Sequence, residues 1–177
     1  MATASKIAMT QSAHISMREF LRTGSFGEIR LGDSPEKLRI FLGEPPKVST
    51  LSRRNSTPGI WKYGDIEFHL SDDRKRIWLI FCDSFDKLHI GSAVSIDRWF
   101  FDGHTACETV EQELASVQIS FQRQNLRHEP TGYLLHLNSG IELLFSTGAD
   151  PLASPGCPGL FGFQYANKGD LNSPFEP

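Results

Sequence analysis

Two stretches of the chain repeat one pattern of apolar and polar positions. The first runs Gly64-Asp65-Ile66-Glu67-Phe68-His69-Leu70, turns at Ser71-Asp72-Asp73 and returns as Ile77-Trp78-Leu79-Ile80-Phe81. The second runs Gly132-Tyr133-Leu134-Leu135-His136-Leu137, turns at Asn138-Ser139-Gly140 and returns as Ile141-Glu142-Leu143-Leu144-Phe145. Ile66, Phe68 and Leu70 alternate with Glu67 and His69, the signature of a half-buried strand. Residues 77–82 are apolar on both faces, as a central strand is. Each hairpin follows a capped helix. The pattern predicts an α+β fold: two helix-plus-β-hairpin pseudo-repeats forming mainly antiparallel sheet, with helices packed on it.

Other elements fit around these. Met17, Phe20 and Leu21 share a helical face that ends at Gly24, and an extended turn through Phe26, Ile29 and Leu31 follows. Asp33 or Ser34 caps the next helix, Pro35 suits its first turn, and Leu38, Phe41 and Leu42 form its stripe. Gly43 and the Pro45-Pro46 pair stop it. A short strand is expected near residues 47–51, a polar loop over 52–59, and strands over 60–63, 66–70 and 76–83. Ile96, Trp99, Phe100 and Phe101 predict that the connection over 84–104 packs against the body. Thr105, with Glu108 three residues on, reads as a capping box for a helix lined by Cys107, Val110 and Leu114. Strands are expected at 117–123, 133–137 and 141–146. After Thr147 the prolines and glycines argue against regular structure. The division is a flexible leader over 1–16, a single α+β domain over 17–147 (halves about 17–90 and 100–147), and a Pro/Gly-rich segment over 148–177.

Composition narrows the class. With 177 residues, 39% apolar, 13 Phe and 3 Trp, the chain can bury a substantial core. No apolar run reaches the roughly 20 residues a spanning helix needs, and no signal peptide is read at the start. Cys82, Cys107 and Cys157 are too few and too scattered for a disulfide framework or a zinc site, which suits a cytoplasmic home. Net charge is −3 but uneven: residues 61–120 carry 6 Lys/Arg and 11 Asp/Glu, a balance of −5. That acidic middle speaks against nucleic acid and for a basic protein partner.

The chemistry-bearing residues are few. His104 and Cys107, with Asp97 and Asp102 nearby, have the types of a nucleophile, base and orienting acid. Cys107, however, falls on the apolar face of its helix. His69 and His136 occupy matching hairpin positions and would form a paired site if both faced one groove. Asp72, Asp73, Asp83 and Asp86 are clustered acids. Two of them at about 5–9 Å would suit glycoside hydrolysis, but turn positions favour Asp for backbone reasons. Gly24, Gly27 and Gly32 match neither a phosphate loop nor a dinucleotide fingerprint. No cofactor or metal motif is read.

Three segments carry a resemblance: Gly24-Ser25-Phe26-Gly27-Glu28-Ile29-Arg30-Leu31-Gly32-Asp33-Ser34, Leu42-Gly43-Glu44-Pro45, and Ile60-Trp61-Lys62-Tyr63-Gly64-Asp65-Ile66-Glu67-Phe68-His69-Leu70. Together they resemble a family of small, largely uncharacterised bacterial cytosolic proteins. Some of these look like immunity proteins of polymorphic or contact-dependent toxin systems. A weaker likeness is to small outer-membrane-assembly lipoproteins, whose lipidated cysteine this chain lacks. The first resemblance implies a non-enzymatic protein-binding module that neutralises a cognate toxin. Asp72, Asp73, Asp83, Asp86 and Trp99 are the candidate binding residues. The alternatives are a small hydrolase or ligand-binding enzyme using clustered His and Asp, and a homodimeric structural protein.

Overall fold

The computed structural model describes residues 13–50, 57–83, 88–91, 94–102, 105–125, 132–146 and 158–167. In chain order the elements are β1 (Ala13–Ser16), α1 (Met17–Thr23), α2 (Pro35–Leu42), β2 (Lys47–Ser49), β3 (Ile60–Tyr63), β4 (Ile66–Leu70) and β5 (Ile77–Cys82). They continue with β6 (Val94–Asp97), α3 (Cys107–Ser116), β7 (Phe121–Asn125), β8 (Tyr133–Leu137), β9 (Ile141–Ser146) and β10 (Gly159–Ala166). This is the expected α+β fold. No helix among the described residues is long and apolar enough to cross a membrane.

Local chemistry sets the first two helices. Ser16 caps α1 by accepting from the Glu19 N–H at 3.4 Å. Gly24 ends α1 in the left-handed region at φ 72°, donating to the Phe20 carbonyl at 2.8 Å. Ser34 caps α2, and Pro35 sits in its first turn. Leu38 and Leu42 are buried, while Phe41 packs at the margin of the core.

Eight strands form one antiparallel sheet in the order β2-β3-β4-β5-β10-β9-β8-β7, and β1 pairs in parallel with β6. Two four-strand runs, one following α2 and one following α3, meet where β5 pairs with β10. By position in this order the counterpart of β4–β5 is β9–β10. The hairpins matched on sequence are therefore one strand out of step.

The register separates two faces. Trp61, Phe68, Ile80, Tyr165 and Ile141 lie in one row across the inner face. Cys82, Phe163, Leu143 and Leu135 form the next. The helices cover this face. Phe20 of α1 meets Phe163 and Tyr165 edge-on at 5.5 and 6.1 Å, and Phe101 meets Phe163 at 5.7 Å. The packed connection expected before α3 is there: Leu88 and Phe101 are fully buried, and Ile90 and Phe100 are nearly so.

Several expectations are corrected. The last four residues of the proposed leader form β1, and residues 1–12 lie outside the described residues. Regular structure does occur after Thr147, because β10 is a central strand. Gly162 makes this possible. A Cβ there would stand 2.3 Å from the Cys82 carbonyl oxygen, so only glycine lets β10 approach the end of β5.

The capping box does not form. Helix α3 begins at Cys107 with no side-chain cap, and the Thr105 hydroxyl meets the Phe100 carbonyl and Asp102 instead. The Cys107 N–H donates to the Pro158 carbonyl at 3.3 Å, so the entry to β10 supplies the acceptor. At the other end Ile119 N–H donates to Leu114 and Gln118 N–H to Ala115, with Gln118 at φ 59°. This Schellman closure uses up residues 117–120 and delays β7 to Phe121.

Truncating the shared centre of this core is expected to be severe. Phe163→Ala should destabilise by about 3–5 kcal/mol through the cavity it leaves. Gly162→Ala should cost about 1–3 kcal/mol through overpacking. Urea denaturation of both variants, against Phe161→Ala on the more open side of the strand, checks the pair.

Candidate functional site

One row of residues crosses the outer face of the whole sheet: Lys47, Lys62, Glu67, Phe81, Gln164, Glu142, His136 and Gln122, one from each strand. No described helix packs on this face. The row follows from period-2 alternation. From Lys62 to His136 each of these residues sits between inward apolar neighbours, so the register that buries the core also aligns them outward, and pairing extends the row to Lys47 and Gln122 on the two edge strands.

Two glutamates organise the row. Glu67 places Oε1 3.1 Å from Lys62 Nζ and Oε2 3.1 Å from His69 Nε2. Glu142 places Oε1 2.8 Å from His136 Nδ1, and its other oxygen accepts from the Gln164 amide. Each carboxylate therefore bridges two groups and is half-buried, with 21% and 18% of its side chain exposed. Phe81 and Gln164 sit between the two clamps. At about 4.8 Å per strand, three strand steps hold the glutamates roughly 14 Å apart.

His69, beside the row, is more enclosed than the Glu67 it pairs with, having 13% of its side chain exposed. The rings of Trp78 and Phe81 contact it edge-on at 6.0 and 6.1 Å. Burial pushes its imidazole below the ordinary histidine value, and the Glu67 hydrogen bond only partly opposes this.

His69 and His136 both lie on the outer face, the condition set for a paired site. They do not converge: each has its own glutamate, and four strand steps put them roughly 19 Å apart. His14 and His89 pair elsewhere, with Ser95 and Asp65. His104 lies outside the described residues. Among the described residues no three His, Cys, Asp or Glu side chains gather as metal ligands.

The five residues picked from sequence are dispersed. Asp72 and Asp73 occupy the β4–β5 turn, where Asp73 accepts from Ser71 Oγ at 2.6 Å and the Lys75 N–H at 3.1 Å. Those two hydrogen bonds hold its carboxyl below the usual range. Asp83 sits past the other end of β5, roughly 20 Å away at about 3.3 Å per strand residue. Asp86 is outside the described residues. Trp99 belongs to the helix side, with Nε1 donating to Glu113 at 2.8 Å, the Phe100 ring at 4.4 Å and Arg18 over its face. It is pinned, not presented.

Cys107 is a core residue. It is 2% exposed, its thiol donates to Glu111 at 3.3 Å, and burial pushes its pKa up to about 12. A thiol so protonated is a poor nucleophile.

Sequence reasoning missed Glu67, Glu142 and Gln164 as a set. Their alternation was visible, but only the strand order joins them.

A second feature opens on the helix side. A cavity of about 750 Å³ lies between α2, β2–β3 and the β4–β5 turn, with Trp61 and Leu70 in its wall and Arg39, Arg74 and Lys75 at its rim.

Comparison with protein-family models, curated proteins and solved structures finds no match to this chain.

Two outcomes test these environments. His69 resists protonation when folded, so between its folded and unfolded pKa the unfolded chain binds more protons. Stability should therefore fall as pH drops below about 6.5. His69→Gln should flatten that slope in urea titrations at pH 5.5, 6.5 and 7.5. Native protein should leave Cys107 unmodified by iodoacetamide at pH 8 and modify it once unfolded, read by peptide mass mapping.

Proposed function

We propose that this chain is a non-enzymatic protein-binding module of the immunity type, which holds a basic toxin domain against the outer face of its sheet. The observation that carries the reading is the row spanning all eight strands, centred on Phe81 between two glutamate clamps. Its arrangement matches what interfaces use. An aromatic centre supplies affinity, and paired charges around it set register and steer approach. Glu67, Glu142 and the exposed Asp83 outnumber Lys62 near that centre, which fits the acidic balance of residues 61–120. The resemblance of residues 24–70 to immunity-type proteins points the same way. A cytoplasmic home goes with this reading, since an immunity protein meets its toxin inside the cell.

Glutamate clamps suit this work for a physical reason. Each already holds a cation or a histidine, so a partner's arginine replaces one bridge by another without leaving a buried carboxylate bare. Phe81 gives the apolar contact that charge alone does not.

The reading requires a toxin gene adjoining this one, and co-expression with that toxin is expected to protect cells. The double variant Glu67→Lys, Glu142→Lys should lose protection and weaken binding by at least about 100-fold while its circular dichroism stays unchanged. A chain that neither protects nor captures that toxin sinks the proposal. So does a double variant that binds as tightly as the wild type.

A further inference from the structure

The cavity beside α2 lies on the opposite side of the sheet from the proposed protein-binding face, so what it does is independent of that reading. Its floor is apolar: Trp61, Leu70 and Pro58, with Val48 at the mouth 47% exposed. Its rim is charged, and the charges are not equivalent.

Arg39 is internally balanced. Its guanidinium lies over the Trp61 ring at 4.6 Å, with Glu36 Oε2 3.4 Å from Nη1 and Glu44 Oε2 3.2 Å from Nε. Both acids of the lining are thus engaged by one arginine.

Arg74 differs. Its Nη1 donates to the Ser71 carbonyl at 2.9 Å and to Leu70 at 3.4 Å, and Nη2 donates to Thr57 at 3.1 Å. Carbonyls orient a guanidinium but do not neutralise it. Nε is buried and has no acceptor. Among the described residues no carboxylate lies within salt-bridge distance of Arg74 or of Lys75. The placement of Arg74 is built into the backbone. The residue itself takes φ 58°, and Gly59 leaves the space its head group fills, where a Cβ would stand 2.9 Å from the guanidinium.

A fixed guanidinium with no carboxylate partner among the described residues, next to a lysine at the rim of an apolar cavity of ligand size, is a recognition device for one chemistry. We propose that this cavity binds an apolar carboxylate, with the acid held by Arg74 and Lys75 and the apolar body lying against Val48 and Pro58, beside the Trp61 ring that Arg39 covers. Such a group comes either as a free organic acid or as the C-terminal residue of a peptide.

Titration of the whole chain with 3-phenylpropionate, followed by 1H–15N NMR, tests this. The acid should shift the Trp61 indole and Lys75 amide signals saturably. Its uncharged amide should bind about tenfold more weakly, having lost the charge-assisted bonds. Lys75→Ala, an exposed change that spares the turn, should weaken the acid about fivefold. Arg74→Lys should weaken it further; if that variant unfolds, the amide comparison and Lys75→Ala carry the test. A parallel titration uses acetyl-Leu-Leu-Phe as free acid and as C-terminal amide. Tighter binding of the peptide acid names a chain end as the natural ligand, and equal or tighter binding of phenylpropionate names a free acid. The inference is overturned by equal binding of acid and amide, by shifts confined to other residues, or by no shift at millimolar concentration.

Discussion

Gly162 lets β10 lie against the end of β5, and that contact joins two four-strand runs into one sheet. Much follows from it. Phe163, the next residue, is fully buried beneath Phe20 of α1 and against Phe101 before α3. The strand entering this pairing also supplies the carbonyl that accepts the first N–H of α3. A segment late in the chain thus sets the sheet, the core under it and the start of a helix. Long-range pairing of this kind forms late and binds distant parts together cooperatively.

Because both runs send their helices to the same side, the sheet has one covered and one uncovered face among the described residues. An antiparallel sheet tolerates this, since alternation puts polar groups on the open side. Here the polar groups are also joined laterally. Two glutamates each bridge side chains from their own or neighbouring strands, so the row is an ordered surface and not a scatter of solvated charges. Half-buried carboxylates with two partners each keep their geometry better than free surface acids, whose pairs contribute little. A face held in that way is suited to recognition.

The opposite side carries a different chemistry. There α2, the β2 edge and the β4–β5 turn surround an apolar recess. Arg39 resolves its charge within the recess, whereas the partners of Arg74 among the described residues are carbonyls. The two surfaces share β2, β3 and β4, whose alternate residues face opposite ways: Val48 inward and Lys47 outward, Trp61 inward and Lys62 outward, Phe68 inward and Glu67 outward. The same strands therefore support both features without conflict.

Local sequence was enough for what depends on neighbours in the chain. Gly24, Ser34-Pro35 and Gly43 mark helix ends because capping acts over three or four residues, and the turns at Asp72 and Ser139 set the hairpins by the same short reach. Period-2 alternation told which side chains of β4 face together. Tertiary structure alone decided the rest. Nothing local says that Gly159-Leu160-Phe161-Gly162-Phe163 is a central strand: its glycines lower strand propensity, and a bulge between Leu160 and Gly162 breaks its alternation. Thr105 had the right residue for a cap and lost to a carbonyl from residue 158. Asp72, Asp73 and Asp83 were near in sequence but sit at opposite ends of a strand, while Glu67 and Glu142, 75 positions apart, share one row. Side-chain alternation is encoded within a strand; which strand lies beside it depends on burial and backbone pairing across the whole chain.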